Sequence, residues 1–316
     1  MNATGFGKYA GALVALAICS ACGGAPAVAP PNPMLVTAAH PNLSALTHYP
    51  AIVPDRYAKS KTLEYVGDVY GTSIFDYPKS DQQIGTIDNV GGQECTNVLY
   101  GYGKKIFWIV AGAIQITEYQ VPKKLIKTLS DSVGNPTGCA MDAGGDLAVG
   151  ILTNGDIVIF KNASGSGTVM TTPLAREYSD GYDNKGNLFA DGFNNSRFEL
   201  IELQKGSSKF QAIATSNTVE FPGSVQWDGK YLTVMDQELG EIYQYTLSGT
   251  KATLKGTVSL SGAGDCAQTW IATGDVFCAD AGTDATEVFK YPAGGSPIAV
   301  LTGNLDLPLG VVAAEK

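Results

Sequence analysis

Past residue 60 the chain repeats one short pattern, in which an apolar residue is followed three positions later by an aromatic or apolar one. Its copies are Ile74-Phe75-Asp76-Tyr77, Ile116-Thr117-Glu118-Tyr119, Ile157-Val158-Ile159-Phe160, Leu200-Ile201-Glu202-Leu203, Ile242-Tyr243-Gln244-Tyr245 and Val288-Phe289-Lys290-Tyr291. Their starts fall about 42 residues apart, a period that marks a repeated supersecondary unit. A glycine turn and a strand precede each copy, as in Gly145-Asp146-Leu147, Gly186-Asn187-Leu188 and Gly274-Asp275-Val276. A polar turn and a further strand follow, as in Gln82 to Ile87, Lys209 to Ala214 and Pro297 to Leu301. No segment carries a long apolar pattern of period 3.6, so helix should be nearly absent.

Four short strands per unit at this period predict an all-β fold, a six-bladed β-propeller of four-stranded blades. The ends of the repeat predict how it closes. Leu63-Glu64-Tyr65-Val66 matches the second strand of a unit whose first strand is missing, and Leu307 to Ala313 matches a first strand with nothing after it. The C-terminal strand is therefore expected to complete the N-terminal blade and remove two open sheet edges.

The first 61 residues read differently. Lys8 ends a weakly positive start, and Ala10 to Ile18 is an apolar run of signal-peptide length, too short to span a bilayer. Cys19-Ser20-Ala21-Cys22-Gly23 follows and resembles a bacterial lipobox, with small residues before the cysteine and Cys19 where leucine is usual. This implies lipidation of Cys22 and cleavage before it. Residue 23 is Gly and not Asp, so the inner-membrane retention signal is missing and the outer membrane or cell surface is the expected location. Prolines without hydrophobic periodicity make the next stretch an extended stalk. The expected organisation is a signal peptide at 1–21, a Pro/Ala-rich stalk at 22–61 and the propeller at 62–316.

A formal charge of −9 disfavours phosphate backbones and anionic lipid, so nucleic acid is not an expected partner and membrane attachment is assigned to the anchor. A monomer is expected. Four cysteines lie beyond the leader, which allows three pairings in an oxidising compartment. In the blade frame Cys266 and Cys278 occupy adjacent antiparallel strands, and Cys95 and Cys139 the first strands of neighbouring blades. The expected disulfides are therefore Cys266–Cys278 and Cys95–Cys139.

Asn135-Pro136-Thr137-Gly138, Gly186-Asn187-Leu188-Phe189-Ala190-Asp191 and Leu307-Pro308-Leu309-Gly310-Val311 resemble NHL repeats, whose six-bladed architecture is similar to that of the SMP-30/gluconolactonase-like proteins. The latter resemblance implies a divalent metal held by Glu, Asn and Asp at one mouth of the central channel. The matching residues are Glu94, Asn135, Asp180, Glu220, Asp265 and Asp306, all read as lying near entrances to first strands, and Ca²⁺ would suit such oxygens. Turn-forming acids at blade junctions explain the same residues without a metal. No G-x-S-x-G or H-E-x-x-H motif occurs, and both histidines, His40 and His48, precede the repeat, so imidazole-based catalysis loses its usual base. Trp227 and Trp270, near hairpin turns, are candidates to stack on a sugar, whereas Trp108 reads as core. The expected function is a non-catalytic binding or scaffold module for a protein or glycan partner at the cell envelope. The alternative is a Ca²⁺-dependent lactonase.

Overall fold

The structure, a computed structural model, describes residues 60–88, 90–110, 115–120, 124–130, 134–303 and 305–315. The leader, Cys22 and nearly all of the stalk lie outside the described residues.

The described chain is all-β and propeller-like, with one short 3₁₀ turn at Lys161–Ala163. Its first sheet runs β24 (Gly310–Glu315), β1 (Thr62–Gly67), β2 (Gly71–Phe75), β3 (Gln83–Asp88). The second contains β4 (Glu94–Thr96), β5 (Lys105–Val110), β6 (Gln115–Gln120) and β7 (Lys124–Ser130). The third contains β8 (Pro136–Met141), β9 (Leu147–Ile151), β10 (Ile157–Phe160) and β11 (Thr168–Met170). An eight-stranded sheet follows. It joins a meander of β12 (Arg176–Tyr182), β13 (Leu188–Asn194), β14 (Arg197–Leu203) and β15 (Gln211–Thr215) to one of β16 (Pro222–Trp227), β17 (Leu232–Asp236), β18 (Glu241–Ser248) and β19 (Lys251–Ser259). The join is a short parallel ladder, Ala214 opposite Lys251 and Thr215 opposite Ala252. The last sheet contains β20 (Cys266–Ala272), β21 (Asp275–Asp280), β22 (Ala285–Lys290) and β23 (Ala299–Leu301).

The C-terminal strand does return to the first sheet: β24 pairs antiparallel with β1 from Thr62 opposite Glu315 to Gly67 opposite Gly310. Burial explains why the strands differ in composition. β9, Leu-Ala-Val-Gly-Ile, is buried at every position because sheets pack on both of its faces. The outer strand β19, Lys-Ala-Thr-Leu-Lys-Gly-Thr-Val-Ser, alternates buried and exposed residues, the period expected of a strand covered on one face.

The strands β4, β8, β12, β16, β20 and β24 touch one another in that cycle, with β24 returning to β4. Because each sheet is an up-and-down meander, its connections emerge alternately at two ends. One end carries the turns after β4, β8, β12, β16 and β20 together with the β2–β3, β10–β11, β14–β15 and β22–β23 loops. The other carries the turns between the second and third strands of each meander and the links between sheets.

Candidate functional site

The axis between the inner strands is where a propeller ligand would sit, and here side chains fill it. Gln268 on β20 reaches two sheets: its Oε1 accepts the N–H groups of Glu94 at 2.9 Å and Val311 at 3.2 Å, while its Nε2 donates to the Glu94 carbonyl. Gln226 on β16 accepts the Ile271 N–H at 2.7 Å and donates to the Ile271 carbonyl at 3.1 Å and to that of Leu99 at 3.4 Å.

Leu99 belongs to the β4–β5 connection, Asn97 to Lys104, which is longer than the turns after β8 and β12 and folds over the axis. The Gly101 carbonyl accepts the Trp270 Nε1–H at 2.9 Å, and Gly103 exchanges backbone hydrogen bonds with Ala313 and Glu315. Its apolar residues spread over the ring. Val98 and Tyr102 pack with the first and last sheets, Leu99 with the core shared by β8–β10 and β12–β14, and Tyr100 with the β17–β22 core. Gly103 must be glycine, since a Cβ there would collide with Thr96. Beneath this plug remains a cavity of about 30 Å³, room for one or two waters, lined by Cys95, Cys139, Asp180, Gln226 and Trp270 among others. A larger groove of about 620 Å³ lies off the axis, between β11 and β15, lined by Met170, Pro173, Phe210 and Lys209 among others.

The six residues expected to share a metal are scattered by depth. Glu94, Asn135, Glu220, Asp265 and Asp306 do lie at or just before first strands. Asp180 does not: it sits inside β12, because that strand begins four residues earlier at Arg176, in a polar run that reads as a turn. Glu94 and Asp180 are buried, Asn135 is half-buried, and Glu220, Asp265 and Asp306 are exposed. No three of these carboxylates have ligand atoms within 4.8 Å of one another. Among the described residues the one group of acids and cysteine that does is Cys278, Asp280 and Glu287. There the sulfur is committed to a disulfide, and Asp280 accepts the Gly264 and Gly282 N–H groups at 2.8 Å each. The six named residues do not fit a single bound cation.

Burial gathers a different set of carboxyls. Glu177 on β12 is fully buried, accepts the Thr137 hydroxyl, and lies against Gly150, where a Cβ would overlap it. Asp180 is its hydrogen-bonding neighbour, with the backbone N–H of Gly150 as its other nearby donor. Asp191 on β13 accepts the Gly223 N–H at 3.2 Å and has the Ser179 backbone N–H beside it. Burial, then the neighbouring carboxyls, raise Asp180 and Asp191 well above the usual range, and burial pushes Glu177 up to about 8. Two acids this close share a proton more readily than they ionise together. Glu94 is raised by burial too, although Trp108 donates its Nε1–H to Oε1 at 2.8 Å.

Sequence reading missed Glu177 and Asp191. For Asp191 the signal available was an acid closing the apolar run Leu188-Phe189-Ala190, whereas Glu177, next to Arg176 in a polar stretch, offered none. Trp270 is buried by the plug and therefore unavailable for stacking on a sugar, contrary to expectation, while Trp227 is half-buried and Trp108 lies wholly in the core. Two disulfides join Cys95 to Cys139 across neighbouring inner strands and Cys266 to Cys278 within the last sheet. They agree with an oxidising, extracytoplasmic compartment.

No family model and no curated protein matches the chain. Solved structures do. One chain of a nidogen–laminin complex superposes with a TM-score of 0.66 at 13% identity over 80% of this chain and 98% of its own. A Bacteroides caccae protein of unknown function gives 0.59 at 14% identity, covering 81% and 99%. A candidate 6-phosphogluconolactonase from Bacteroides fragilis gives 0.54 at 10% identity, covering 81% and 98%. At such identities the likeness shows the propeller-like fold alone.

Proposed function

We propose that the chain is an exported six-bladed propeller, acylated at Cys22 and displayed at the outer membrane or cell surface. As a monomer it acts there as a non-catalytic binding module for a protein or glycan partner. Support for six blades comes from the inner-strand cycle and from the eight-stranded sheet dividing into two meanders held by only a short ladder. The NHL-like turns support assignment to that repeat class.

The observation that carries the binding reading is the axis itself: plugged at one end, cross-linked by Gln226 and Gln268, and, among the described residues beneath the plug, hollow by about 30 Å³. A lactonase of the metal type needs an open mouth with convergent oxygens. On this reading Ca²⁺ leaves the melting temperature unchanged, and lactone hydrolysis stays at the buffer rate with or without it. Ca²⁺-dependent turnover abolished by Glu94→Gln would replace the binding module with an enzyme. Metabolic labelling with an alkyne palmitate should mark the wild type and not Cys22→Ala; equal labelling of both would remove the anchor.

A further inference from the structure

The two ends of the ring carry opposite charge. At the plugged end each four-stranded meander presents an exposed lysine: Lys61, Lys104, Lys161, Lys185, Lys230 and Lys290 in chain order. The connections at the other end contain no lysine; their exposed charges include Asp88, Glu220, Glu238, Asp265, Asp284 and Asp306, with Arg176 and Arg197 at strand starts. Apart from the exposed Asp81 on the β2–β3 loop, the acids at the lysine end are largely turned inward. Asp142, Asp183 and Asp228 each accept two N–H groups of their own turns at 2.6–2.9 Å. Glu315 and Asp275 engage Lys104 and Lys290, but Lys161, Lys185 and Lys205 have no carboxylate of the described residues within 4.0 Å.

The direction of β1 adds a second constraint. As the second strand of its sheet it starts at the plugged end, with Thr62 opposite Glu315, so everything before Ser60 is connected to the lysine face. About 38 residues separate Cys22 from Ser60, and at ~3.3 Å each they can reach well beyond the width of the ring. The tether alone therefore leaves either face free to meet a membrane, and charge makes the choice.

We propose that the lysine face is a docking surface for anionic lipid headgroups, which seats the ring plug-down and turns the carboxylate face outward. Complementary charge favours this occupant: each lysine held near an anionic bilayer adds attraction that decays within a Debye length, while the acidic face is repelled. The overall charge of −9 averages the two faces and hides the lysine one. The proposal rests on the anchored reading only for what brings the protein to a membrane.

The test uses the full chain carrying Cys22→Ala, so that acylation plays no part, and compares it with the same chain carrying Lys161→Glu, Lys185→Glu, Lys205→Glu and Lys230→Glu. Vesicles of phosphatidylcholine with about one third phosphatidylglycerol should bind the parent in low salt and release it at physiological salt. The fourfold variant, with an unchanged melting curve, should bind on the order of a hundredfold more weakly. Glu238→Gln with Asp284→Asn should change binding by less than about threefold. Equal binding of parent and lysine variant overturns the proposal, as does equal binding to pure phosphatidylcholine. A parent that binds dextran sulfate but no vesicle also overturns it, in favour of a soluble polyanion. Loss of palmitate label and loss of vesicle binding are separate results, so the anchor and the docking face fail independently.

Discussion

The two ends of the ring handle charge in opposite ways. The lysine end keeps its cations in water and folds its aspartates into turns. The carboxylate end carries acids outside and also draws them toward the axis, where Glu94, Glu177 and Asp191 are buried with no basic partner. A buried ionised carboxylate without a cation is costly, so the fold holds these groups by keeping them protonated or by aiming a few donors at them. One end is thus chiefly a solvated charge surface, with Glu64 as its buried exception, and the other hides most of its titration inside the ring.

The largest expected effect follows from that difference. The acids with raised pKa bind protons more tightly folded than unfolded, so their stabilisation is complete below the ordinary carboxylate range and is lost as pH rises through the folded value. For Glu177 that window runs from the usual glutamate range to about 8, and Glu64, Glu94, Asp180 and Asp191 shift in the same direction. Melting followed from pH 5 to pH 9 should show stability falling by several kcal/mol, on the order of one ordinary salt-bridge network or more. Glu177→Gln combined with Asp180→Asn keeps the shape and removes the shared proton, and should flatten the slope. A stability maximum at pH 8 in the wild type, or an unchanged slope in the double variant, would break the contrast between the ends.

A second effect separates the axis from both surfaces. Gln268→Leu preserves bulk but strips the acceptor from the buried Glu94 and Val311 N–H groups and the donor from the Glu94 carbonyl. The loss should be about 3 kcal/mol, which for a domain of this size lowers the melting temperature by roughly 6–12 °C. A change below about 1 kcal/mol would mean that water reaches the axis and that the plug does not seal it.

These residues also mark what could be read in the sequence. Strand positions and the closing role of Leu307 to Ala313 were legible because the apolar repeat and its turn glycines are local signals. Cys266 and Cys278 could be paired because their strands are neighbours in the chain. The site resisted for physical reasons. Asp180 looked like an entrance residue because the polar run Arg176 to Gly181 reads as a turn, whereas it already belongs to β12. The plug is a loop whose partners, Ile271, Trp270 and Ala313, lie more than 160 residues downstream, so its length was visible and its target was not. The faces escaped because charge was summed along the chain, while the meander sorts it by the parity of the turn.

The smallest expected effect tests that sorting with one residue type used twice. Asp236, at the carboxylate end, is fully buried and accepts the N–H groups of Glu220 at 2.7 Å, Phe221 at 3.3 Å and Leu239 at 3.4 Å, which ties the link between sheets to its own turn. Asp142, at the lysine end, is half-exposed and accepts Gly144 and Asp146 at 2.8 Å each. The bond counts are similar, but water can replace the acceptor at Asp142 and is kept from Asp236. Asp236→Ala should therefore cost about 2 kcal/mol and Asp142→Ala no more than about 1, in denaturant titrations at neutral pH. Equal costs would mean that the two ends are hydrated alike, and the contrast would then rest on surface charge alone.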